Sequence, residues 1–283
     1  MARLWKVLAA ILLLLAVPGL ATAEERWQTL PEPAPMPKPD RSGYAPVNGI
    51  RMYYAVFGSG DPVLLVHGGL SNADVWASQV AALSKTHEVI VADSRGHGRS
   101  TRTNAPFTYD LMASDYLALL DYLKIGRTAL VGWSDGGIIG IDIALHHPER
   151  LTRLFAQAAN VEPQGTDAGV LRNRTFLQFL ERARRDYQRL SRTPDQYDAF
   201  VAQISRMWRT QPRWTRQELS GITVPTAIVA GDHDEAIPRA QTDYIASAIP
   251  GAKEIILPDT SHFALLQAPD EYSRAVLDFI DAK

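Results

Sequence analysis

The chain has 283 residues and near-balanced charge, with 29 lysines and arginines against 31 acidic residues and a formal net charge of −2. That balance excludes the basic field that nucleic-acid binding requires, so no nucleic-acid partner is expected. There is no cysteine, which excludes disulfides, a thiol nucleophile, lipid attachment at a cysteine and cysteine-ligated metals.

The first residues read as an address. Arg3 and Lys6 precede an unbroken apolar run, Val7 to Val17, and Ala21-Thr22-Ala23 places small residues where a signal peptidase would cut. This pattern predicts a signal peptide over residues 1–23, cleaved after Ala23, and a secreted or periplasmic protein. The apolar run is short against the roughly 20 residues a membrane-spanning helix needs, so no stable membrane insertion is expected after cleavage.

Residues 24–46 carry Pro31, Pro33, Pro35, Pro37, Pro39 and Pro46 and read as an extended linker. The folded domain is therefore predicted from about Val47 to the C-terminus. Asn48-Gly49 is a hairpin turn signal between Tyr44–Val47 and Arg51–Phe57. Short apolar runs at Pro62–Val66, Glu88–Ala92, Thr128–Val131, Thr226–Ala230 and Lys253–Leu257 predict strands buried on both faces. Helical patterns at Trp76–Leu83, Tyr109–Leu123, Ile138–Leu145 and Pro269–Asp281 separate them. Such alternation predicts an α/β fold with a mainly parallel central sheet flanked by helices.

Residues 160–221 break the alternation. Phe176, Phe179, Ala183, Tyr187 and Leu190 fall on one helical face, and Arg172, Arg174, Arg182, Arg184, Arg185 and Arg189 take much of the rest. A second helix is expected over Pro194–Trp208. The segment reads as a helical cap inserted over the sheet, with the arginines on its solvated face.

The chemistry concentrates in four loops. Gly132-Trp133-Ser134-Asp135-Gly136 is a G-x-S-x-G run between a predicted strand and a predicted helix, the setting in which this motif presents a serine nucleophile. The backbone N–H of Asp135 then points at a developing oxyanion. Ser134 needs a base, and the base needs an orienting partner. Of the seven histidines, His262 is the candidate base, because it follows the last strand at the edge where open α/β sheets place their sites. His67 and His97 read as structural, His87 as a surface residue before a strand, and His146 and His147 as a helix end. For the acid, Asp232, Asp234 and Glu235 compete; Asp234 is preferred from its place in Gly231-x-x-Asp234-x-x-x-Pro238, with Asp232 second. Gly69, or Leu70 beside it, is the second candidate oxyanion donor. Leu70, Trp133, Asp135 and Phe263 are candidate substrate-binding residues. Asp135 either holds a cationic substrate group or caps local backbone.

His67-Gly68-Gly69, Asp93-Ser94-Arg95-Gly96-His97-Gly98-Arg99-Ser100, Gly132-Trp133-Ser134-Asp135-Gly136-Gly137, Gly231-Asp232-His233-Asp234 and Ser261-His262-Phe263 stand in order. Together they make the chain, from about Val47 onward, resemble the α/β-hydrolase family of serine hydrolases. The resemblance implies an eight-stranded sheet, a helical cap at about 160–221 and the triad Ser134, Asp234 and His262. The nucleophile segment is similar to that of valacyclovir hydrolase, which implies that Asp135 holds a substrate α-amino group. The expected reaction is hydrolysis of small-molecule carboxylic esters through an acyl-enzyme, with no metal and no organic cofactor. Lactone, amide or C–C hydrolysis and cofactor-free perhydrolysis run on the same triad, and a non-catalytic binding protein would keep the same fold.

Overall fold

A computed structural model describes residues 24–282. The predicted signal peptide, residues 1–23, lies outside the described residues. Within them, no helix is long and apolar enough to cross a membrane.

Eight strands form one sheet: β1 (Arg41–Val47), β2 (Ile50–Phe57), β3 (Asp61–Val66), β4 (His87–Ala92), β5 (Thr128–Trp133), β6 (Leu151–Gln157), β7 (Thr226–Gly231) and β8 (Lys253–Leu257), in the order β1-β2-β4-β3-β5-β6-β7-β8. β1 and β2 form an antiparallel hairpin that pairs antiparallel with β4, and all other pairs are parallel. The hairpin turns on Asn48 and Gly49, both at positive φ, the geometry that a two-residue turn between twisted strands demands. β3, β4 and β5 are almost wholly buried, with apolar runs at Val63–Val66, Val89–Ala92 and Ala129–Val131. They need cover on both faces, and helices supply it.

Those helices are α1 (Ala77–Leu83), α2 (Tyr109–Leu123), α3 (Asp135–His146), α4 (Arg174–Leu190), α5 (Tyr197–Trp208), α6 (Arg216–Leu219), α7 (Arg239–Ala248), α8 (Ala264–Gln267) and α9 (Pro269–Ile280). α2 occupies the predicted span. Thr108 starts it by accepting the N–H of Leu111, and Lys124 ends it in the left-handed conformation. α4 and α5 lie between β6 and β7 and form the cap. Phe179, Ala183 and Tyr187 of α4 and Phe200 and Ile204 of α5 join the main apolar core. The cap is therefore packed onto the sheet.

Five sequence expectations need correction. The sheet starts at Arg41 rather than near Val47, because β1 pairs with β2 from Arg41–Val56 onward, and Ala45 and Val47 turn their side chains into the core while Pro46 between them faces out. The proline-rich segment before it is not a free linker. Arg182 donates to the carbonyls of Leu30 and Pro31, Gln267 Nε2 donates to those of Trp27 and Thr29, and Arg26 donates to those of Pro258 and Asp259. Arg182 accordingly leaves the solvated face assigned to it and is buried. His87 is also buried, opening β4, with Nε2 3.0 Å from Asp281. β6 carries no counterpart among the predicted strands. Its neighbours on both sides bury it, although Thr152 and Arg153 break its apolar pattern.

Candidate active site

The loops that leave the carboxyl ends of β3, β5, β7 and β8 meet over the sheet. Ser134 follows β5 directly and takes φ 55°, ψ −119°, a strained conformation for a residue with a side chain. The sharp turn has steric consequences on both flanks. A Cβ at Gly132 would lie 2.2 Å from the Gly136 carbonyl oxygen, and one at Gly136 would lie 2.0 Å from that of Val66. Both positions must be glycine for Ser134 to stand where it does. The Ser134 N–H is fixed at 2.8 Å on the carbonyl of Gln157, the last residue of β6.

Asp135 opens α3, so its N–H has no intrahelical acceptor. Gly68 to Ser71 form a turn closed by the Ser71 N–H on the Gly68 carbonyl at 3.2 Å, with Leu70 at φ 61°. The N–H groups of Gly69 and Leu70 have no acceptor among the described residues. These three donors beside the serine form the candidate oxyanion pocket. Gly69 has no room for a side chain: a Cβ there would lie 2.5 Å from the Trp208 ring and 2.7 Å from Asp135 Oδ2.

His262 Nδ1 lies 3.1 and 3.2 Å from the two oxygens of Asp234. Since a carboxylate only accepts, Nδ1 carries the proton and Nε2 keeps its lone pair. Asp234 Oδ1 also accepts the N–H groups of Ala236 and Ile237 at 2.9 and 2.8 Å, which fixes the carboxylate. Asp232 instead accepts the Thr260 N–H and stays away from the imidazole. Burial alone would lower the pKa of His262; the adjoining Asp234 carboxylate, helped by Glu235 and Asp135, outweighs it and holds the imidazole above the ordinary histidine value. No hydrogen bond joins Ser134 Oγ to His262 among the described residues, although both line one cavity of about 370 Å³.

That cavity is mostly apolar, walled by Leu70, Trp133, Phe176, Phe179 and Ile237. Phe263 packs against Trp133 and Phe179 and is fully buried, so it supports the wall from behind. The Asp135 side chain faces the same cavity. It accepts from Tyr109 Oη at 2.9 Å and from Trp208 Nε1 at 2.9 and 3.1 Å. Burial pushes its pKa up to about 6 against the pull of these two donors. The side chain does not cap local backbone; Tyr109 of α2 and Trp208 of the cap hold it. Tyr109 carried no signal beyond starting a helix, and its meeting with Asp135 is set by tertiary packing alone.

The other histidines do structural work. His67 Nε2 accepts the Ser94 N–H, and its Nδ1 donates to the Gly68 carbonyl. Burial lowers its pKa and takes that of His97 down to about 3, so both rings are neutral.

Residues 63–275 match the model of the alpha/beta hydrolase family. The chain is 28% identical to mouse serine hydrolase BPHL over 83% of its own length and 84% of that protein's. It is also 28% identical to 3-oxoadipate enol-lactonase 2 of Acinetobacter baylyi, covering 80% and 92% of the two chains. Among solved structures, the enol-lactonase of Burkholderia xenovorans LB400 superposes with a TM-score of 0.68 at 29% identity, over 84% of this chain and 99% of that one. With the nucleophile turn, the oriented imidazole and these likenesses together, the chain belongs to the alpha/beta hydrolase family and is a hydrolase.

Proposed function

We propose that this hydrolase cleaves small-molecule carboxylic esters through an acyl-enzyme formed on Ser134. The supporting observation is the strained serine set in one cavity with an imidazole that a buried carboxylate orients. Ser134 Oγ attacks the carbonyl carbon, and His262 Nε2 takes its proton. Rotation about the serine Cα–Cβ bond on substrate binding makes that contact, which apo active sites commonly lack. The N–H groups of Asp135 and of Gly69 or Leu70 stabilise the tetrahedral oxyanion, each worth about 10²–10³ in rate. His262 then protonates the leaving alkoxide, and water repeats the sequence on the acyl-enzyme.

Fluorophosphonate labelling followed by peptide mass spectrometry tests the nucleophile. Label on Ser134, absent from Ser134→Ala along with ester hydrolysis, is the expected result; label elsewhere assigns the nucleophile to another residue. A panel of alkyl and aryl esters, lactones, amides and C–C substrates then separates the reactions that share the triad.

Asp135 refines the substrate. Its Oδ1 accepts from Tyr109 and Trp208 and its Oδ2 from Trp208 alone, which leaves acceptor capacity for a substrate ammonium, and among the described residues lining the cavity Asp135 is the one carboxylate. Asp135→Ala is therefore expected to lose at least tenfold in kcat/KM on aminoacyl esters while neutral esters change little. Equal losses on both would remove the cation-binding role. The apolar run before Ala23 supports export, and the N-terminal residue of protein recovered from the periplasm tests it: Glu24 is expected.

A further inference from the structure

His262 is held by its backbone as well as its ring. Its carbonyl accepts from Trp133 Nε1 at 2.9 Å and from Gln157 Nε2 at 3.3 Å. Its N–H donates to Glu235 Oε2 at 3.0 Å. The other oxygen of Glu235, Oε1, is buried and has no hydrogen-bond partner among the described residues. No lysine or arginine pairs with this carboxylate among the described residues. A buried carboxylate without a cation is costly, and Glu235 lies next to the acid already bonded to the imidazole.

We propose that Glu235 is a positioning residue for the base: one oxygen anchors the His262 backbone, and its charge gives the imidazolium a second negative neighbour beside Asp234. The consequence is a base that becomes neutral, and so active, at higher pH than the Asp234–His262 pair alone would set. The other elements around the ring do not compete with this charge. β5 presents Trp133, α4 presents Phe176, and Phe263 follows in the same loop. Asp135 at the start of α3 adds a further negative charge. Burial raises the pKa of Glu235 while attraction to His262 opposes the rise, as a carboxylate compensated chiefly by that ring requires. The inference rests on His262 acting as the base for Ser134.

The test uses the chain from Glu24 onward and two readouts. The His262 ring is titrated by ¹H–¹⁵N NMR, and hydrolysis of p-nitrophenyl acetate is followed against pH. Glu235→Gln keeps an oxygen for the His262 N–H and removes the charge. Both the imidazole midpoint and the acid limb of the rate profile should fall by about one unit, with the plateau rate within about twofold. Glu235→Asp keeps the charge and shortens the reach, so the midpoint should hold while the plateau falls severalfold. An unmoved midpoint in Glu235→Gln overturns the electrostatic role. An unchanged plateau in Glu235→Asp overturns the anchoring role, and that variant carries the test if the glutamine protein does not fold. A midpoint that moves in a protein without any hydrolysis supports the role of Glu235 at the ring and overturns instead the reading of Ser134 and His262 as a catalytic pair.

Discussion

Asp135 sits where function and stability oppose each other. Its carboxyl has an ordinary value near 3.8 when exposed and is pushed up to about 6 in the folded chain. A raised acid binds its proton more tightly when folded. The fold therefore loses stability as pH rises from about 4 through 6, and the cost is complete above that window. Two units correspond to about 3 kcal/mol. Asp135→Asn keeps an oxygen for Tyr109 and Trp208 and removes the charge, so it should be more stable by roughly 2–3 kcal/mol at pH 8, with the gain gone by pH 4. Urea unfolding at the two pH values measures this; a gain independent of pH would assign it to packing instead. The retention of so costly a group in an apolar cavity fits a group kept for its substrate. At this scale the sequence is informative where chemistry imposes local sterics: the glycines around Ser134, and the spacing from Gly231 to Asp234. It is silent on Tyr109 and offers Glu235 only as a rival for the acid; the contacts of Tyr109 and Trp208 with Asp135, and of Glu235 with the His262 backbone, join segments distant along the chain.

The strap from Glu24 to Asp40 shows why elements are legible unequally. Periodicity finds α2 because its apolar positions repeat with the helix, and it finds the buried strands from their valines and leucines. It cannot find a strap that docks through its backbone carbonyls, because carbonyls are common to every sequence. Arg182 is the main clasp on the cap side. Nη1 and Nη2 each reach a strap carbonyl at 2.8 Å, and Nη2 also reaches Glu32 at 3.1 Å. On the core side, Gln267 ties the strap to Ser261, next to His262. Arg182→Met keeps the apolar stem and removes both donors. Hydrogen bonds from a buried cation are worth about 1.5–3 kcal/mol, so a stability loss near 2 kcal/mol is expected. Limited proteolysis should then cut between residues 24 and 40, at sites protected in the unaltered chain. A strap that stays protected would show that Gln267, Arg26 and Thr175 hold it without Arg182. β6 is hard to read from sequence for a different reason: its burial is imposed by β5 and β7, and Arg153 masks the run.

At the scale of the molecule, the antiparallel hairpin β1–β2 must be joined to the parallel body that carries the site. Arg95, in the loop after β4, does this from the interior. Its guanidinium forms two 2.7 Å bonds to Asp115 of α2 and one of 3.3 Å to the carbonyl of Asn48 in the hairpin turn. Asn48 Nδ2 closes the group at 3.0 Å on Asp115. The side chains of Arg95 and Asp115 are 3% and 1% exposed, so neither charge can fall back on water. Burial raises the pKa of Asp115 even against the bonds from Arg95, so the pair works against desolvation. Removing one partner leaves a bare buried charge and should cost about 3–5 kcal/mol, whereas apolar replacement of both is often close to neutral. Arg95→Met alone should therefore be strongly destabilised, and Arg95→Met with Asp115→Leu should regain most of the loss. Denaturant unfolding of the four proteins in a double-mutant cycle measures the coupling. Additive losses would mean that the hairpin is held by its apolar face, through Ala45, Val47 and Met52, and that the ion pair only fills the space between.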